Sequence, residues 1–166
     1  MKKILFIALT VLPAMLWLKP VDATEVVIDI NVPEIDSSPY HRPYIAVWLE
    51  TPKRKGVHTF AFWKEQEEWF KDLRQWWRKI GRANTPNFDS VSGPTRKPGE
   101  YQLTWDGTLS NGQKVSPGEY VLHFESVREQ GSREYLRQPI TIAENKTQTF
   151  TLQGKQELGL ISISVK

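Results

Sequence analysis

The order of apolar and polar positions divides the chain into two β-rich stretches with a helical stretch between them. Ile28, Ile30 and Val32 alternate with Asp29 and Asn31, which gives Val26 to Val32 the two-residue period of a half-buried strand. Tyr44 to Glu50 is denser in apolar and β-favouring residues and predicts a central strand. His58 to Trp63 resumes strand character, with Phe60 and Phe62 expected on one side. Then the period changes. Trp69, Phe70, Leu73, Trp76, Trp77 and Ile80 recur at spacings of three and four, which predicts one amphipathic, unusually aromatic helix over about 65–81, with Gly81 as its stop. After a polar linker from Asn84 to Pro98, alternation returns in Tyr101 to Trp105, Glu119 to Val127, Tyr135 to Ile142, Thr147 to Leu152 and Leu160 to Val165. Asp106-Gly107, Asn111-Gly112 and Pro117-Gly118 punctuate that half as turns. Several short strands with such turns predict a mainly β fold, a β-sandwich with the helix inserted between its two halves.

The N-terminus has a different character. Met1-Lys2-Lys3 is a positive start, Ile4 to Leu18 is apolar apart from Thr10 and Pro13, and Val21-Asp22-Ala23 places small residues where a signal peptidase reads. This three-part pattern predicts a signal peptide over residues 1–23, cleavage after Ala23 and export to the periplasm. The remaining residues, 24–166, are expected to form a single domain. Composition narrows the chemistry further. There is no cysteine, so disulfides, thiolate metal sites and thiol catalysis are excluded. The net charge of +3 belongs mostly to the N-terminal segment: residues 24–166 carry 19 Lys+Arg against 18 Asp+Glu. Bulk charge therefore gives a nucleic-acid partner no support. The local run Lys71, Arg74, Arg78, Lys79 and Arg82 reads as a solvated helix face.

Catalytic motifs are not evident. His41, His58 and His123 have no metal-ligand spacing, and His123, beside Leu122 and Phe124, is expected at the surface or as a satisfied sheet residue. Glu67-Glu68 is expected to face water, and neither a serine nucleophile elbow nor a phosphate-binding glycine loop is present. No enzymatic role and no metal are expected. The aromatic helix most simply covers a β core; its functional reading is that Trp76 or Trp77 also stacks on a planar ligand.

Trp105-Asp106-Gly107, Asn111-Gly112, Val115, Pro117-Gly118 and Tyr120 resemble a turn pattern of the immunoglobulin-like domain in the flagellar hook-capping protein. A wider resemblance rests on four blocks in order: Arg42 to Glu50, Trp76-Trp77-Arg78, Asp89 to Pro98, and the Trp105 hairpin. Together they are similar to the bacterial periplasmic family known as domain of unknown function 2271. The resemblance implies an exported immunoglobulin-like β-sandwich associated with flavin transferases and with membrane redox or iron-uptake proteins. Asp89-Ser90-Val91-Ser92-Gly93-Pro94-Thr95 also looks like the acceptor site at which a flavin transferase joins FMN to a hydroxyl. By position, Asp89 fits the acid, Ser92 the hydroxyl, Gly93 the small residue and Thr95 the acceptor, whereas Pro94 departs from the usual Ala. The implied function is an electron carrier with covalent FMN, with Trp76 and Trp77 as candidate flavin neighbours. The alternative is a cofactor-free binding or accessory module that uses its aromatic helix to recruit a membrane redox or iron-uptake system.

Overall fold

The computed structural model describes residues 24–84 and 91–166; the expected signal peptide and Asp89 lie outside them. Two sheets face each other. One has the order β5-β1-β9-β8 and the other β4-β3-β2-β6-β7, where β1 is Val26–Val32, β2 Tyr44–Glu50, β3 Gly56–Lys64, β4 Ser92–Pro94, β5 Gly99–Trp105, β6 Gly118–Val127, β7 Arg133–Ile142, β8 Gln148–Gln153 and β9 Leu160–Val165. All pairs are antiparallel except β3–β4. The alternation in β1 does what its period requires: Val26, Ile28, Ile30 and Val32 are buried against Ile45, Val47, Leu49, Leu122, Phe124, Ile140 and Ile142 of the facing sheet. At the open side, the amide of Gln148 bonds the Thr141 main chain and ties β7 to β8.

All seven residues of β2 are buried because the strand is covered twice. Its inner face joins the sandwich core. Its outer face, Tyr44, Ala46 and Trp48, forms a second apolar cluster with Phe62, Phe70, Leu73, Trp76 and Ile80. Fully burying one such side chain stabilises the fold by about 2–3 kcal/mol, and that burial holds the 67–84 stretch on the sheet.

That stretch is not one helix. It comprises a 3-10 segment Glu67–Asp72, an α turn Arg74–Trp76, a π-helical turn Trp77–Gly81 and a last turn Arg82–Asn84. The break falls at Leu73, whose ψ of 67° takes it out of the helical region. The physical reason lies across the chain. Glu125 of β6 accepts the main-chain N–H groups of Gln75 (3.0 Å) and Trp76 (2.8 Å), so a buried carboxylate starts the second segment where no local cap exists. Gly81 is needed for space: a Cβ there would stand 2.7 Å from Trp77 and 2.8 Å from Trp76.

A bulge overturns a second expectation. Val47 pairs with Ala61 and Trp48 with Thr59, so Phe60 is the extra residue. Phe60 therefore packs with the inner core, while Phe62 belongs to the outer cluster, and the two do not share a side.

Candidate functional site

The acceptor-like segment is anchored to the sheet edge rather than looped into solvent. Ser92, Gly93 and Pro94 pair in parallel with Phe62, Trp63 and Lys64, so part of the expected linker is a short strand. The Phe62 N–H donates to the Val91 carbonyl (3.0 Å) and the Thr95 N–H to the Lys64 carbonyl (3.1 Å). These bonds turn the Thr95 side chain inward. Thr95 is only 5 % exposed, and its hydroxyl donates to Glu65 at 3.4 Å. Ser92 and Gly93 are half-buried and Pro94 is exposed. A Cβ at Gly93 would meet only Arg96 and Trp63, at 3.7 and 3.9 Å, so this glycine allows a close approach but does not require one.

Beside the segment stands a cation-on-aromatic arrangement. The Arg96 guanidinium lies 5.4 Å from the Trp63 ring centroid and 5.7 Å from that of Tyr101. Trp63 and Tyr101 meet edge to face, with centroids 5.2 Å apart. Thr95 and Arg96 thus occupy an aromatic edge of the domain, although the hydroxyl itself is covered.

The two indoles singled out from sequence separate. Trp76 is fully buried and stacks on Phe62, with ring centroids 3.9 Å apart at 25°. Its stacking face is already used by the protein. Trp77 is half-buried and flanks the outer cluster together with Val91, the first described residue of the acceptor-like segment. Trp77 is therefore the more exposed indole of the two.

An open groove of about 420 Å³ lies at the other end of the outer cluster, lined by Tyr44, Trp69, Asp72, Val127, Arg128 and Glu129 among others. Trp69 is half-buried there. The Tyr44 hydroxyl accepts the Gln66 N–H (3.0 Å), and burial raises its pKa, so the phenol stays neutral. Glu67 and Glu68 are exposed, as expected.

A further polar cluster was not foreseen. His123 is not at the surface: it is 5 % exposed on the outer face of β6, stacked on Trp48 with centroids 4.9 Å apart at 12°. Its Nδ1 lies 2.6 Å from the Tyr135 hydroxyl and its Nε2 3.6 Å from Glu50. Burial lowers the His123 pKa to about 4, with Glu50 opposing that shift. The available sequence clue was a charged residue at each of two strand positions that apolar neighbours mark as covered, Glu50 in β2 and Glu125 in β6. Among the described residues no group of three or more His, Cys, Asp or Glu is placed to hold a metal ion.

No curated protein and no solved structure matches the chain. A family model matches residues 25–160, from the first strand of the sandwich to the start of the last. The chain belongs to the family described as predicted periplasmic protein, domain of unknown function 2271 (DUF2271).

Proposed function

We propose that the protein is an exported electron carrier that receives FMN on Thr95 from a flavin transferase, after removal of residues 1–23. The reaction is a phosphoryl transfer. The Thr95 hydroxyl oxygen attacks the FAD phosphorus nearest riboflavin, a phosphoester forms, the diphosphate bond breaks and AMP leaves; the hydroxyl proton goes to a base of the transferase. The isoalloxazine then supplies the redox chemistry, and the protein positions it. The observation that carries this reading is the edge placement of the acceptor-like segment. Ser92–Pro94 pairs with a single neighbouring strand, and the Val91 and Thr95 hydrogen bonds that flank it hold it by about 1 kcal/mol each. Closed, the segment hides the hydroxyl. A local opening of such an edge costs far less than global unfolding, so a small open population is available to a catalyst. Around the segment stand Arg96, Trp63 and Tyr101, with half-buried Trp77 on the outer cluster that Val91 also flanks. Asp89 and Ser92 take the acid and hydroxyl places of the motif, and the Cβ-free Gly93 lets the main chain approach the dinucleotide. Co-expression with a periplasmic flavin transferase is expected to add one FMN to the mature chain, and Thr95→Ala to abolish the addition. A wild-type mass that stays unmodified under those conditions refutes the reading.

A second reading has its own observation. Thr95 is covered while Trp69 lines an open groove, an arrangement that favours a cofactor-free binding or accessory module for a membrane redox or iron-uptake system. In that case Thr95→Ala leaves function intact and Trp69→Ala abolishes partner capture. Neither reading assigns the chain a catalytic role of its own.

A further inference from the structure

The outer face of the five-stranded sheet holds a carboxylate, an imidazole and a phenol in sequence. Glu50 closes β2, His123 sits on the adjacent β6, and Tyr135 on the next strand, β7. Trp48 donates its indole N–H to Glu50 (2.8 Å), which fixes the carboxylate. The imidazole tautomer follows from its neighbours. A carboxylate only accepts, so the ring nitrogen facing Glu50 carries the hydrogen, and Nδ1 offers its lone pair to the Tyr135 O–H at 2.6 Å. The order is therefore carboxylate, imidazole N–H, imidazole lone pair, phenol O–H.

We propose that Tyr135 is a redox-active tyrosine whose oxidation is coupled to proton transfer along its hydrogen bond to His123. Tyr135 gives one electron to an oxygen-centred radical, which leaves as its anion. The phenolic proton moves to Nδ1 of His123, a neutral phenoxyl radical remains, and the imidazolium so formed faces Glu50. Return of one electron from a reductant reverses both movements. The inference is independent of FMN and of Thr95.

Three features separate this arrangement from a hydrogen bond that merely satisfies a buried histidine. First, Nε2 stops 3.6 Å from the Glu50 oxygen, beyond hydrogen-bond range, so the carboxylate adds little in the resting state and most when the ring becomes charged. Second, the rings are layered nearly parallel: Trp48 on His123 at 12°, His123 on Tyr135 at 20°, and Trp48 to Tyr135 with centroids 6.2 Å apart. An electron vacancy on the half-exposed phenol thus has a fully buried indole within one short step. Third, neutral imidazole is the form needed to accept the proton, and burial secures it: the His123 pKa is about 4. The charged groups facing the pair come from every neighbouring element. They are Glu50 of β2, Arg54 of the following turn, Lys79 of the helical stretch, Glu125 of β6, and Arg137 and Arg133 of β7, the last with its guanidinium 5.7 Å from the Tyr135 ring centroid.

The test is flash photolysis of the full mature chain with photogenerated tris(bipyridine)ruthenium(III) as the one-electron oxidant. The wild type is expected to give a phenoxyl absorption with a solvent deuterium isotope effect on its rise. Tyr135→Phe is expected to remove most of that amplitude although Tyr40, Tyr44, Tyr101 and Tyr120 remain. His123→Phe keeps the stack and removes the base; it is expected to slow the rise by about 100-fold, the lower range for a positioned proton acceptor, and to abolish the isotope effect. Because that variant removes a buried polar partner, the wild type supplies a second measure: the rate should fall as pH drops through about 4, where His123 takes a proton and its lone pair is lost. Spin-trapping followed by peptide mapping of the wild type locates the radical without any variant. An unchanged phenoxyl yield in Tyr135→Phe, an adduct on a different tyrosine, or a rise without isotope effect or acid dependence each overturns the proposal.

Discussion

Glu125 is a residue whose loss the fold should feel strongly. Its carboxylate is fully buried, accepts the N–H groups of Gln75 and Trp76, and pairs with Arg133 through Nε (2.7 Å) and a terminal nitrogen (2.6 Å). Glu125→Ala removes the substitute cap, costing about 1–2 kcal/mol. It also strands the guanidinium; breaking a buried pair costs about 3–5 kcal/mol, but the Arg133 side chain is 28 % exposed and water recovers part of that. The terms share atoms and do not add, so we expect about 3–4 kcal/mol in total. Glu125→Gln keeps one acceptor oxygen but turns an NH₂ towards a donor, and should cost about 2 kcal/mol. Urea unfolding followed by tryptophan emission reads both, since Trp76 begins the segment that Glu125 holds. In the background Arg133→Met, the penalty for Glu125→Ala should shrink by about 1–2 kcal/mol, the coupling of residues in one network. A loss below about 1 kcal/mol in Glu125→Ala at unchanged m-value, where a lost cap alone would give more, refutes the claim that a side chain from β6 starts the second helical segment.

Two further outcomes follow from the same coordinates. His58 is stacked on Trp105, and burial lowers its pKa from 6.5 to about 4, with Asp106 opposing. Between those values the unfolded chain binds the proton and the folded chain does not, so His58 by itself should lower stability by up to about 3 kcal/mol as pH drops from 6.5 to 4; His58→Phe should make that part of the stability–pH curve shallower by this share, the slope from buried His123 remaining, and an unchanged slope would show that the ring is not held neutral. Gly154 leaves no room for a side chain, because a Cβ would run into the Leu158 carbonyl within the β8–β9 connection, which the Gly154 N–H closes by donating to Gly159. Gly154→Ala is expected to cost about 2 kcal/mol or more by thermal unfolding, in the range for an enforced main-chain shift.

The parts of this fold legible in sequence are those governed by neighbours a few positions away. Alternation in β1 and the turn residues Asp106-Gly107 and Asn111-Gly112 announced strands and a hairpin, and Gly107 and Gly112 both adopt φ of 78°. Periodicity over 65–81 found the aromatic stripe but not the break at Leu73, because the group that caps the second piece is Glu125, some fifty positions later. The bulge at Phe60 was hidden because register against β2 is set by pairing, not by the run of residues. Ser92-Gly93-Pro94 has no strand propensity; only the free edge of β3 makes it one, and that pairing is what covers Thr95. Of the two places expected for His123, the sheet is right and the surface is not, because one strand face is solvent in a bare sandwich and becomes interior once a second layer lies over it. Of the candidate site residues, Thr95, Ser92 and Gly93 fall together at one edge, Trp76 belongs to the core, and Trp77 is half-buried.

The parallel pairing at that edge has a consequence for solubility. Without Ser92–Pro94, the Phe62–Lys64 end of β3 would present unpaired amides and carbonyls to any passing chain. The covering piece ends in a proline that offers no amide hydrogen, so it terminates the ladder instead of extending it. The three-residue strip thus acts as a selvedge at that end of the sheet, where it keeps two copies of the protein from knitting their strands together.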